Sequence, residues 1–247
     1  MKTLGVIGGL GPMATAFFMQ MVIEMTDADT DQEHIEMLIH SCPSIPDRTG
    51  YILGESRENP APKMIEIGRA LASQKADVIA IPCITANYFY RELTEAIPVP
   101  IINTIEEIRD YLVARGVRSA GLMATTGTVR SGLFQKVFAG SGCELVLPDS
   151  RRQEDVMHLI YKNIKASKPV DMNRFFGISR DLRADGAQVI VLGCTELSMI
   201  RRDFEIGGGY LDAMQLLAKC SVERCGKLKE SCRELITPET DAGGNEE

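Results

Sequence analysis

Short apolar runs alternate along the chain with longer stretches in which apolar residues recur every three to four positions. The first kind reads as buried parallel strands, the second as helices laid against them. Leu4-Gly5-Val6-Ile7-Gly8 opens the series, followed by the turn Gly9-Leu10-Gly11-Pro12 and an apolar helix over 16–26. A strand over 35–41 runs into the loop Pro43-Ser44-Ile45-Pro46-Asp47-Arg48-Thr49-Gly50, stiffened by its prolines. A helix over 62–75, with Met64, Ile67 and Leu71 at helical spacing, feeds the strand Ala76-Asp77-Val78-Ile79-Ala80. Pro82-Cys83-Ile84-Thr85-Ala86-Asn87 follows, and a proline-bounded strand over 97–103 crosses into a second half.

The second half repeats the scheme. A helix over 105–115 closed by Gly116 leads to a strand over 119–124. The polar turn Thr125-Thr126-Gly127-Thr128 opens a helix from about 129. A strand over 143–147, helices over 154–166 and 172–184, and the strand Ala187-Gln188-Val189-Ile190-Val191 come next. Leu192-Gly193-Cys194-Thr195-Glu196-Leu197 closes that unit, and a last helix covers 210–223. The polar tail at the end of the chain is expected to be disordered. The β-α alternation predicts an α/β fold.

Composition narrows the function classes. The 247 residues, 45% hydrophobic, suit one large domain or two modest ones. A net charge of −7 lacks the basic footprint of a nucleic-acid binder. Arg151-Arg152 and Arg201-Arg202 read as solvated helix-end charges. No apolar run approaches the ~20 residues of a membrane span, and the stretch from Lys2 into Leu4–Gly8 reads as a first strand and not as a signal peptide. Seven cysteines, an odd number with no paired spacing, suggest reduced thiols and a cytoplasmic protein. Cys220, Cys225 and Cys232 lie in a helical pattern and read as packing or surface thiols. His34, His40 and His158 are isolated, so no metal site is expected. Gly9, Gly11 and Ala14 meet a loose dinucleotide fingerprint, but the next strand ends in His40-Ser41 without the acidic residue a ribose needs. The glycines still let backbone N–H groups approach a small anion.

Cys83 and Cys194 share one upstream grammar: an apolar strand, a Pro or Gly break, then Cys with Thr one or two residues on. A lone free cysteine is more often a buried small hydrophobe. The repeated context reverses that reading, because ligands bind at the carboxyl ends of strands in open α/β sheets. Two thiols on opposite faces of a small substrate suit the removal of a proton from a stereocentre and its return to the other face. Free thiols titrate near ~8.5 and are tunable, so one thiolate and one thiol can coexist. The carbanion beside a carboxylate needs directed donors. Arg48, Thr85, the Thr125–Thr128 turn and Thr195 are placed to supply them. Arg48 reads equally as a carboxylate clamp or as a surface partner of Asp47.

Gly8-Gly9-Leu10-Gly11-Pro12-Met13-Ala14-Thr15, Ile45-Pro46-Asp47-Arg48-Thr49, Pro82-Cys83, Thr85-Ala86, Ala124-Thr125-Thr126-Gly127-Thr128 and Gly193-Cys194-Thr195-Glu196 together resemble the aspartate/glutamate racemase family, in its aspartate branch. The resemblance implies two similar Rossmann-like α/β halves with parallel sheets and the site in the cleft between them. We expect residues 1–103 with about 209–234 in one half, 104–208 in the other, and 235–247 as the tail. It further implies a cofactor-independent amino-acid racemase, with no cofactor, a small amino-acid substrate and a homodimer as partners. Cys83 and Cys194 match the catalytic pair, Arg48 the carboxylate-binding residue and Lys165 the side-chain-carboxylate residue. Met13, Ile84, Thr85, Ala86, Thr125, Thr126, Thr128, Thr195 and Glu196 fall on its substrate-binding motifs. Ile84 and Asn87 depart from the family's usual Asn and His at those places, so Ile84 cannot donate an amide N–H to a carboxylate. Aspartate is the expected substrate and glutamate the next candidate; racemisation or isomerisation of another small amino acid or of a dicarboxylate such as maleate, or binding without turnover, are the alternatives.

Overall fold

The computed structural model describes residues 2–238. Strands β1 (Leu4–Gly8), β2 (Met37–Ser41) and β3 (Val78–Ala80) form a parallel sheet in the order β2-β1-β3. Leu4 pairs with both Met37 and Val78, so the three carboxyl ends lie together. The stretch expected as a strand over 97–103 joins this sheet only through the bridge between Ile101 and Ile79. Pro98 and Pro100 carry no N–H and cannot extend the ladder.

Strands β4 (Ser119–Met123), β5 (Glu144–Val146), β6 (Val189–Leu192) and β7 (Tyr210–Asp212) form the second parallel sheet, ordered β5-β4-β6-β7. The two sheets therefore repeat one plan, with β1 matching β4, β2 matching β5 and β3 matching β6. In such an order the crevice opens where the chain direction reverses, between the first and third strands of each half. Cys83 follows β3 and Cys194 follows β6, at equivalent places.

The structure corrects three expectations. Tyr210–Asp212 is a strand of the second sheet, paired with Ile190–Leu192, so this half extends beyond about 209 and the last helix starts at Ala213. Asp212 caps that helix, its carboxylate accepting from the N–H groups of Met214 and Gln215. A three-residue strand joined directly to a helix reads as one helical run. The start of the expected tail is also held in place. Leu235 is buried, and Thr237 N–H donates to Tyr210 O at 2.9 Å. Residues 239–247 lie outside the described residues. Thirdly, Arg152 is not a solvated charge: it holds Asp155 at 3.0 Å and Asp181 at 2.5 Å.

One hydrophobic core spans both halves. Val6, Phe18 and Ile84 share it with Ile105, Leu122, Val191 and Leu217. The helix Ala213–Cys225 returns from the second sheet to pack on the helices Pro12–Met25 and Thr104–Ala114. No helix among the described residues is long and apolar enough to cross a membrane.

Candidate active site between the two halves

The β1 turn supplies one wall. Gly9 has φ +88°, and a Cβ there would lie 2.3 Å from the Cys42 backbone nitrogen, so only glycine fits. Thr15 ties the turn by accepting from Gly9 N–H at 2.8 Å and donating to Gly11 O at 3.0 Å. The Gly9 N–H is thereby occupied and does not face an anion.

Arg48, expected in a loop, begins the short helix Arg48–Ile52, which Asp47 caps by accepting from Gly50 N–H at 2.7 Å. Its side chain is buried and runs inward. Nη2 donates to Leu10 O at 2.9 Å and Nη1 to Pro46 O at 3.0 Å, while Nε has no partner among the described residues. Burial works against the guanidinium charge, but Cys83 and Asp47 outweigh it and hold Arg48 above its ordinary range. The surface reading of Arg48 is thus replaced by a buried one, with Cys83 beside the cation.

Cys83 ends the extended segment after β3 and precedes a tight helical turn over Ile84–Phe89. Thr85, on that turn, meets the second half through hydroxyls. Its Oγ1 lies 3.1 Å from Thr125 Oγ1 and 3.0 Å from Thr128 Oγ1, and those two are 3.1 Å apart. Three buried hydroxyls can each donate once and accept once, so the trio closes on itself. Gly127 lets this turn approach Thr49 of the first half, since a Cβ there would lie 3.0 Å from Thr49 Cα.

On the facing side, Cys194 is buried and its thiol donates to Glu196 Oε2 at 2.8 Å. Burial first, and the adjacent Glu196 carboxylate next, push this thiol well above the usual cysteine range. Both influences favour the thiol form of Cys194. Lys165 Nζ lies 3.7 Å from Glu196 Oε1 and 4.4 Å from the Tyr161 ring. Burial opposes its charge, but Glu196, Cys194, Tyr161 and Cys83 together hold it above the ordinary lysine range. One cation thus senses both thiols.

These groups enclose a cavity of about 10 Å³, room for roughly one water. Arg48, Cys83, Ile84, Thr85, Thr125, Lys165, Cys194, Thr195 and Glu196 line it, as the sequence motifs anticipate. A wider vestibule of about 450 Å³ adjoins it and shares Leu10, Asp47, Arg48, Lys165 and Glu196 with it. Met13 sits in the vestibule, not the inner cavity.

Three expected contacts are not made at the cavity wall. Ala86 is packed in the core of the first half. Thr126 faces away, its Oγ1 accepting from Gln153 at 3.2 Å, and Thr128 stands behind Thr85 and Thr125. In each case the tight turn points alternate side chains in different directions. Ile84 walls the cavity while belonging to the main core, and Asn87 donates to Ile84 O at 2.9 Å.

Leu10, Asp47, Thr49 and Tyr161 line the cavity without having been singled out as ligand contacts. Tyr161 lies on a wide π turn over His158–Ile164, a feature frequent at functional sites. Its hydroxyl donates to Asp47 Oδ2 at 3.3 Å, joining the two halves. Its place four residues before Lys165, on one helical face, is the signal that could have found it. Among the described residues no group of three or more His, Cys, Asp or Glu side chains is gathered closely enough to hold a metal ion.

Residues 7–220 match the family model described as Asp/Glu/Hydantoin racemase. The chain is 27% identical over 229 residues to the broad specificity amino-acid racemase RacX of Bacillus subtilis, covering 89% of this chain and 96% of that one. An aspartate racemase of Picrophilus torridus superposes with a TM-score of 0.83 at 27% identity, over 94% of this chain and 98% of the other. An aspartate racemase homologue from Pyrococcus horikoshii shares the fold with a TM-score of 0.72 at 22% identity, over 91% and 99% of the two chains.

Proposed function

The chain belongs to the Asp/Glu/Hydantoin racemase family, and from that premise we propose that it is a cofactor-independent racemase of an acidic amino acid, aspartate first. The observation that carries the reading is the pairing of Cys83 and Cys194 at equivalent strand ends on one cavity. Arg48 seats the α-carboxylate and faces Cys83, the cationic partner a thiolate requires. Cys83 as base takes the α-proton, and Cys194, held as a thiol, delivers one to the opposite face. The reverse reaction exchanges these roles. The Arg48 Nε–H, the donor at the cavity left without a partner among the described residues, stabilises the charge that develops on the carboxylate. The inner cavity has room for about one water, so a substrate that enters from the vestibule requires it to widen. A homodimer fits the same reading: Met13, Met19 and Ile23 stay exposed along the helix Pro12–Met25.

Incubation with L-aspartate in deuterated water tests this most directly. Both α-deuteration and loss of optical rotation are expected. A dicarboxylate isomerase would leave aspartate unchanged and convert maleate, and a binding protein would do neither.

Lys165 supports the acidic substrate, since its ammonium projects into both cavity and vestibule. Lys165→Ala is expected to lower kcat/KM for aspartate by at least about 10-fold relative to alanine, the size of one charge-assisted hydrogen bond. An unchanged ratio of the two amino acids removes Lys165 from substrate recognition.

A further inference from the structure

Two buried polar atoms facing this cavity have no hydrogen-bond partner among the described residues: Arg48 Nε, a donor, and Glu196 Oε1, an acceptor. Buried polar groups are almost always satisfied, so an unsatisfied pair of opposite sense marks where a ligand completes the site. The Arg48 member belongs to the carboxylate seat proposed above. The Glu196 member has no role in that scheme.

Glu196 is 5% exposed. Its Oε2 already accepts from the Cys194 thiol at 2.8 Å and from the Thr195 hydroxyl at 3.4 Å. Its Oε1 is 3.7 Å from Lys165 Nζ, beyond hydrogen-bond reach. That oxygen is buried against Gly11, where a Cβ would sit 2.9 Å from it. Both the inner cavity and the vestibule reach Glu196.

We propose that Glu196 Oε1 receives the α-ammonium of the substrate. Arg48 Nε and Glu196 Oε1 then form the donor and acceptor ends of a seat for an amino-acid zwitterion. The site selects amino acids over dicarboxylates that lack the amino group. This rests on the amino-acid racemase reading and assigns the ammonium contact within it. The arriving ammonium also offsets the negative charge that faces the Cys194 thiol, so substrate binding eases the proton transfer at that residue.

Binding, measured by calorimetry, separates this inference from the activity, because interconversion of enantiomers releases no net heat. L-Aspartate and succinate, its counterpart without the amino group, are the probes, with wild type, Glu196→Gln and Gly11→Ala as proteins. Gly11 has φ −166°, extended backbone that alanine adopts, so the second variant adds no backbone strain, sets a methyl 2.9 Å from Oε1 so that this oxygen must shift, and serves if Glu196→Gln does not fold. Wild type should prefer aspartate. Each variant should lose about 10- to 100-fold in aspartate affinity, the range of one charge-assisted hydrogen bond, and hold succinate within about twofold. Variants that keep the full aspartate preference overturn the ammonium contact while leaving the racemase reading intact. A wild-type protein that binds aspartate and succinate alike also overturns it. Failure of wild type to bind aspartate at all removes both this contact and the acidic amino-acid reading.

Discussion

Serine in place of Cys83 or Cys194, one at a time, is expected to lower racemisation by at least about 10³-fold, within the range general acid-base groups supply. Both side chains are buried and serine is nearly the same size, so each variant should stay folded. A hydroxyl is too weak an acid to replace a thiol in either direction. The two variants should nevertheless remain distinguishable. Each keeps one thiol on one face of the substrate, and that thiol can remove a proton and return a deuteron to the same face. Each variant should therefore exchange the α-hydrogen of one enantiomer without inverting it, and the two should choose opposite enantiomers. The pH dependence of exchange by Cys83→Ser follows from Cys194 alone. Its thiol is raised by burial and by Glu196, so the thiolate that must act as base grows only as pH climbs. Exchange by that variant should rise through the neutral and alkaline range. Near wild-type racemisation by either variant, or exchange of the same enantiomer by both, would sink the two-thiol mechanism.

The positions of the two thiols were legible because their strands are buried on both faces. Parallel strands of this kind leave continuous apolar runs, and the break that follows each run marks the strand end where ligands sit. The repeated strand order of the two sheets is the structural counterpart of the repeated Cys context. β7 was not legible, since three residues ending on a helix cap carry no period of their own. The same limit hid the helix at Arg48–Ile52, which is held by one side-chain cap and by contacts with the Thr126–Arg130 helix, not by an apolar stripe.

Within the site, residue types were readable and side-chain directions were not. Tight turns such as Ile84–Phe89 send neighbouring residues to different places. Thr85 reaches the cavity, Ala86 packs in the core and Asn87 satisfies a carbonyl. Tyr161 escaped notice because a tyrosine on an amphipathic helix usually packs. The π turn that carries it toward Asp47 leaves no mark in the apolar spacing. The unpartnered oxygen of Glu196 is a property of tertiary packing, which sets it against Gly11 far away in the chain.

Arg48→Lys is the second change expected to have a large effect, because the guanidinium does two things an ammonium cannot do at once. Its two Nη groups donate to Leu10 O and Pro46 O, fixing the β1 turn against the loop that precedes Arg48. Its Nε has no partner among the described residues and is the atom proposed above to meet the substrate carboxylate. A lysine ammonium is a single point with rotating donors, and occupying the carbonyls turns it away from the ligand. Loss of one charge-assisted contact to the carboxylate, plus loss of its fixed geometry, should lower kcat/KM for aspartate by about 10²- to 10³-fold. The carbonyl contacts are also weakened, at a cost of roughly 1.5–3 kcal/mol for a bond to a charged group. For a chain of this length that corresponds to a fall in Tm of about 3–12 °C. The two readouts separate the roles. A lower Tm with unchanged kcat/KM makes Arg48 a brace for the loop alone. A large loss of kcat/KM in a protein of unchanged Tm makes it a ligand contact alone. The buried fork with one free nitrogen calls for both losses together, and a variant that shows neither would remove Arg48 from the site.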